Sequence, residues 1–187
     1  MNPIEELVRS FQELVAYVPE LIQPFVVMLA GAVPFIEAEG AAIVGLAGGI
    51  HPIIVWLAAA LGNFLSVLLV VTFSSRARTA VVEHRSTRVA VMAGGSAGSS
   101  ADVLESRPAA PESAGRQRFK RWLVRFGVPG ASILAPLAIP TQITAAMLVA
   151  GGTSRSWVLL WQAVAIVIWG TIATVSTWAA LTFLVGV

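Results

Sequence analysis

Three long runs of this 187-residue chain contain no Asp, Glu, Lys or Arg: residues 40–75, 126–154 and 156–187. A helix that crosses a bilayer needs about 20 consecutive apolar residues, so each run is long enough to enter a membrane. Only 12% of the residues are charged and 57% are hydrophobic, whereas a soluble domain carries about 25% charged residues. With half that charge the chain cannot cover itself with a solvated surface. This rules out a soluble enzyme, a disordered chain and a nucleic-acid-binding domain as the main reading, and makes the lipid bilayer the expected solvent.

The charges that remain are unevenly placed. Between Arg76 and Arg125 lie ten Lys/Arg and four Asp/Glu, and outside that stretch only Arg9 and Arg155 are basic. The positive-inside rule therefore puts residues 76–125 in the cytoplasm of a multi-pass protein of the cell membrane. The N-terminus opens with Glu5 and Glu6 rather than a basic segment, so no signal peptide is expected there. There is no cysteine, and His51 and His84 stand far apart, so neither a metal site nor a cofactor is expected. No compact catalytic motif is visible, and the chain is not expected to be an enzyme.

Along the chain, Ile4, Leu7, Val8, Phe11, Leu14, Val15 and Val18 recur at helical spacing. They predict an amphipathic helix within residues 1–19, packed on a bundle or lying in the interface. Residues 20–50 are two short apolar arms around the turn Pro34-Phe35-Ile36-Glu37-Ala38-Glu39-Gly40, closing at Gly48-Gly49. That pattern predicts a re-entrant broken-helix hairpin, with a kinked span as the competing reading. His51-Pro52 then starts a helix over 52–75, long enough to cross and ending at Arg76 and Arg78. Residues 93–117 are rich in Gly, Ser, Ala and Pro and read as a disordered part of the cytoplasmic loop. Over 116–126, Phe119, Trp122, Leu123 and Phe126 share one helical face among basic residues, which suits an interfacial helix on an anionic leaflet.

The second half repeats the first. Residues 127–152 form a hairpin pattern broken by Pro129, Pro136 and Pro140 and closing at Gly151-Gly152, and a spanning helix is expected over 155–186. Ala47-Gly48-Gly49 matches Ala150-Gly151-Gly152 at an offset of 103 residues, and at that offset Glu39 falls on Gln142. A cytoplasmic loop between the halves makes the two hairpins enter from opposite faces. The expected fold is therefore an all-α integral membrane protein: two inverted repeats, each a re-entrant hairpin plus a transmembrane helix, with amphipathic interfacial helices. Such repeats place a substrate site near the midplane on discontinuous segments.

Val33-Pro34-Phe35-Ile36-Glu37-Ala38-Glu39-Gly40-Ala41, followed by Leu61-Gly62-Asn63, resembles the small multidrug export protein family of the DedA-like, or SNARE-associated, membrane superfamily. Glu37, Gly40 and Ala41 fit its Glu-x-Arg-Gly-Ala motif, and Glu39 stands where Arg is usual. The resemblance covers roughly residues 20–75 and 118–175. It implies two facing re-entrant hairpins and a transport role: proton-coupled drug or ion export, or movement of lipid carriers between leaflets.

The candidate site residues follow from the cost of polarity in lipid. An acidic side chain at helix-centre depth costs about 2.5–3.5 kcal/mol, so Glu37 and Glu39 should face a cavity or each other. Two carboxylates brought close cannot both ionise freely, which suits a group that loads and releases a proton. Thr141 and Gln142 are expected at the opposite tip, Asn63 as a mid-helix polar partner, and Arg155 as a counter-charge or an interface anchor. Pro34, Gly40, Pro136 and Pro140 shape the two hairpins. The leading expectation is a proton-coupled transporter of small molecules or ions; the alternatives are a lipid or lipid-carrier scramblase, and a scaffold whose loop 76–125 recruits a partner. A homodimer is compatible with the sequence, and no nucleic acid is expected.

Overall fold

A computed structural model describes residues 3–93 and 127–185. All regular structure among the described residues is helical. In chain order the helices are α1 Pro3–Tyr17, α2 Gln23–Ala32, α3 Glu37–Ala47, α4 Pro52–Ala93, α5 Gly127–Leu137, α6 Thr141–Ala150 and α7 Arg155–Ala180. The last turn of α5, Ala135–Leu137, is a 3-10 helix, and α7 continues into a π-helical turn, Leu181–Val185.

Helix α1 buries one face, as its periodicity requires. Val15 is fully buried against Val26 near the start of α2 and Val44 near the end of α3. The two ends of the α2–α3 segment therefore lie side by side, and α2 and α3 fold back on each other. A Gly-Gly turn closes each half. Gly49 (φ 78°) and Gly152 (φ 100°) take the left-handed conformation that a side chain would oppose. The amide of Gly49 donates to Leu46 O (3.0 Å) and that of Ile50 to Gly45 O (3.1 Å); Gly152 donates to Val149 O (3.0 Å) and Thr153 to Leu148 O (3.1 Å). Both turns are Schellman caps that satisfy the last carbonyls of α3 and α6, and every donor and acceptor recurs at the 103-residue offset. The next helices also begin in step, with Val55 N donating to His51 O and Val158 N to Ser154 O, each at 3.1 Å.

One boundary differs from the expectation. The fourth helix does not end at Arg76 and Arg78 but stays helical to Ala93. No Gly or Pro falls between residues 76 and 93, so no residue there stops the backbone from propagating. Its 42 residues correspond to about 63 Å of helix, roughly twice a hydrocarbon core. Helix α7 likewise runs through Gly170 without a break. The rest of the Gly/Ser/Ala/Pro-rich segment 93–117, and the basic amphipathic helix expected over 116–126, lie outside the described residues.

Helices α2 and α4 touch backbone to backbone. A Cβ at Gly31 would sit 2.5 Å from Ala59 O, and one at Gly62 only 1.9 Å from Met28 O. Small residues at such crossings let helix backbones approach closely. Gly62→Ala should therefore destabilise the fold by about 1–3 kcal/mol, because the obstacle is a carbonyl that cannot turn aside. Thermal unfolding should show a lower midpoint; an unchanged or raised midpoint would mean the two helices are free to separate.

Candidate functional site at the hairpin tips

The first tip is built under strain. Val33 O accepts from the amides of Ile36 (3.2 Å) and Glu37 (3.0 Å), and the chain between them passes through positive φ at Phe35 (72°) and at Glu37 itself (52°). Neither residue is one that visits this region cheaply. The tight turn after Pro34 delivers Glu37, only 5% exposed, to the first position of α3.

The second tip lacks something the first supplies. Helix α6 starts at Thr141 behind Pro140, which stands at its N-cap and offers no side-chain acceptor. The opening amides of a helix have no partner within it and carry the positive end of its dipole. Glu37 fills that role from the other half of the chain. Its Oε1 accepts from the Thr141 amide at 2.6 Å and from Thr141 Oγ1 at 2.9 Å. The two hairpin tips are thus joined through a carboxylate that caps its opposite number.

Asn63 completes the junction from the first third of α4. Its Oδ1 lies 3.0 Å from Thr141 Oγ1 and accepts from Gln142 Nε2 at 3.3 Å. Gln142 Oε1 is 3.4 Å from the same hydroxyl. Asn63, Thr141 and Gln142 are all buried, and Asn63 Nδ2 has no partner among the described residues. A threonine hydroxyl holds one proton and here faces three acceptors, so it serves them one at a time.

Beside this junction lies a cavity of about 450 Å³. Glu37, Glu39 and Gly40 line it together with residues 136–140, Pro136 and Pro140 included, and Trp169 of α7. Trp169 is fixed by donation of its indole N–H to Ile133 O at 2.9 Å. Half-buried Glu39 borders the cavity but does not join the Thr141 network.

The structure brings together Glu37, Thr141, Gln142 and Asn63, with Glu39 alongside. It does not bring Arg155. That residue is exposed at the start of α7, beyond the Gly-Gly turn at the far end of α6; ten helical residues put it about 15 Å from the tip. Arg155 as a counter-charge for Glu37 is therefore corrected. Two features escaped sequence reading. Trp169 is part of the cavity lining. Gln162, fully buried, reaches Ser132 at 3.5 Å and joins α7 to α5; its signal was being the one amide side chain in the charge-free run 156–187. No group of His, Cys, Asp or Glu among the described residues has the makings of a metal site. No protein-family model, no curated protein and no solved structure matches this chain.

Proposed function

We propose that this chain is a multi-pass membrane transporter of small solutes, coupled to protons through Glu37, and a relative of the small multidrug export proteins it resembles. In this reading α2–α3 and α5–α6 are re-entrant hairpins of two inverted repeats whose tips meet near the midplane. One observation carries it: a buried carboxylate on one tip caps the helix that starts the other, beside a cavity large enough for a small molecule. A change in the charge of Glu37 therefore acts on the contact between the halves. Protonation weakens its hold on the positive end of α6, and deprotonation restores it.

The membrane part of the reading rests on two helices. Pro52–Arg76 and Arg155–Phe183 are long and apolar enough to cross a bilayer, with 33% of each window buried inside the protein. The core helix of a soluble domain would bury far more. Their remaining faces expose Ile53, Leu57, Leu61, Leu65, Leu69 and Phe73 on α4, and Leu160, Val167, Ile172 and Val175 on α7. Faces of this kind suit lipid and not water. On the positive-inside argument the α4 extension to Ala93 then projects into the cytoplasm. Since the chain has no native cysteine, Ser96→Cys and Ala114→Cys give background-free probes. An impermeant maleimide should label both only from the cytoplasmic face; labelling from outside in intact cells would overturn the orientation and the inverted repeat with it.

The transport reading is tested in liposomes holding a trapped pH dye and an imposed pH gradient. They are challenged in turn with small organic cations, anions and neutral solutes. Wild-type protein should discharge the gradient with at least one of them, and empty vesicles with none; no discharge by any solute would refute the reading. A lipid-scrambling reading has one observation in its favour, since Phe35 and Leu137, both exposed and apolar, are among the residues that line the cavity. It expects transbilayer equilibration of a fluorescent lipid with no gradient applied.

A further inference from the structure

Away from the tips, the two long apolar helices leave a groove between them. Pro52, Ile53 and Trp56 of α4 and Thr171, Thr174 and Val175 of α7 line about 350 Å³, and none of them lines the cavity at the tips. One side-chain bond ties the helices there: the Trp56 indole N–H donates to Thr171 Oγ1 at 3.0 Å. The Thr171 hydroxyl spends its own proton on Val167 O at 2.6 Å. Thr174, three residues further along α7, is different. It is only 5% exposed, and its Oγ1 has no partner among the described residues. A buried hydroxyl left unpaired costs free energy, and where it lines an opening the occupant of that opening can satisfy it.

Three occupants can be compared. A water needs two to four polar partners, and here the polar groups of Trp56 and Thr171 are already spent on each other and on Val167. A helix of a second copy would fill the groove with carbon but bring no free backbone acceptor, since its carbonyls are bonded within it. A glycerolipid brings both an acyl chain and an ester carbonyl, which accepts without donating and so matches an unspent threonine proton. Depth agrees. The 25 residues Pro52–Arg76 make about 37 Å of helix, about 7 Å more than a hydrocarbon core. Centred in a bilayer, they put Pro52 about 4 Å outside that core and Trp56 about 2 Å within it, at the level of lipid esters. The rim is continuous with the faces suited to lipid, since Ile53 and Val175 are exposed, as are Leu57 and Ile172 beside them. A second groove of about 250 Å³, between α2 and α4, lacks the selective element: its lining, Phe25, Ile54 and Leu61 included, carries no side-chain nitrogen or oxygen.

We propose that the α4–α7 groove binds one glycerophospholipid of the outer leaflet, with an ester carbonyl on Thr174 and an acyl chain along Ile53, Trp56 and Val175. This rests on the membrane part of the reading above and is independent of transport. Its consequence reaches the helix that carries Glu37. A Cβ at Gly170 would stand 3.4 Å from Ala38 Cβ and 3.9 Å from Trp56 Nε1, so a lipid seated on Trp56 braces the contact between α7 and α3.

The test reconstitutes the full chain in diether phosphatidylcholine, which has no ester carbonyl. A trace of diester phosphatidylcholine carries a photoactivatable diazirine on its acyl chain, and labelled residues are located by peptide mass spectrometry. Ile54 and Phe25, exposed in the α2–α4 groove, are the controls; Ile54 is next in sequence to Ile53. Labelling of Ile53 and Val175 should exceed that of the controls about fivefold, the preference expected of one hydrogen bond. Unlabelled diester lipid should suppress the excess, although the diether lipid around it does not. Thr174→Val should erase the excess without lowering the unfolding midpoint, and Thr174→Ser should keep it. Equal labelling of Ile53 and Ile54, or an excess that survives in Thr174→Val, overturns the proposal. Disulfide cross-linking of two chains through Ile53→Cys, with the groove unlabelled, assigns it to a second copy and overturns the proposal too. A chain that does not float with the liposomes refutes the membrane reading and this inference together; a chain that floats but labels evenly refutes the inference alone.

Discussion

Glu37→Gln should abolish discharge of a pH gradient while leaving the protein folded. Glutamine fills nearly the volume of glutamate, and its Oε1 can still accept from the Thr141 amide and hydroxyl, the two bonds that join the tips. What is lost is the ionic part of the helix cap. Hydrogen bonds to charged groups contribute about 1.5–3 kcal/mol against about 1 kcal/mol for neutral ones, so the stability change is expected to be about 1 kcal/mol. Function should change far more, because an amide neither binds nor releases a proton in the accessible range. Flux in the liposome assay should fall to the level of empty vesicles, with size exclusion and circular dichroism unchanged. Glu39→Gln separates the two carboxylates: it leaves the link between the tips intact, so a pH response should persist in that variant. Full proton-driven transport by the Glu37→Gln/Glu39→Gln double variant would refute coupling through this site.

The pairing at this site was only partly legible in the sequence, and the reasons differ from residue to residue. The Gly-Gly turns could be read because a helix that must stop and reverse needs a residue with φ > 0, and that demand marks the chain twice at a fixed interval. Counting 103 residues from Glu39 leads to Gln142; the tips themselves meet one residue out of step, Glu37 with Thr141, 104 apart. Nothing in the letters announces that shift. It comes from the strained turn through Phe35 and Glu37, where tertiary packing holds a backbone conformation that local propensity opposes. Asn63 could be suspected, because an amide in an apolar run must find a partner or face a penalty. Its partners could not be named, since they depend on how α4 crosses α6. Arg155 misled for the complementary reason: a lone cation after a hairpin pattern suggests a partner for a buried acid, but the α6 helix carries it away from the tip. The far end of α4 misled because the arrival of charge was read as the end of a helix, when charge ends only the part that suits lipid. The same limit applies to Gln162 and Ser132. Each looks like scattered polarity until packing of α5 on α7 sets them against each other.

Thr141→Val should uncouple the tips without removing the titrating group. Valine keeps the shape of threonine and the backbone N–H that donates to Glu37, but removes the hydroxyl shared among Glu37 Oε1 (2.9 Å), Asn63 Oδ1 (3.0 Å) and Gln142 Oε1 (3.4 Å). With Glu37 ionised, the best use of the single hydroxyl proton is the carboxylate. When Glu37 takes up a proton on that oxygen, it becomes a donor, and the hydroxyl accepts from it and turns its own proton to Asn63. Uptake of one proton on α3 thereby reverses a hydrogen bond on α6 and makes a new one to α4. Valine cannot pass this change on. It also leaves buried acceptors with fewer donors, at a cost of about 1–3 kcal/mol, so the unfolding midpoint should fall. Thr141→Ser keeps the hydroxyl and should restore most of the stability and the pH response. The decisive comparison is the slope of flux against pH, measured alongside the unfolding midpoint for all three proteins. If valine lowers the midpoint yet keeps the wild-type slope, the hydroxyl serves only to hold the tips together. A slope lost in Thr141→Val and recovered in Thr141→Ser identifies the hydroxyl as the link by which the charge of one hairpin is felt by the other.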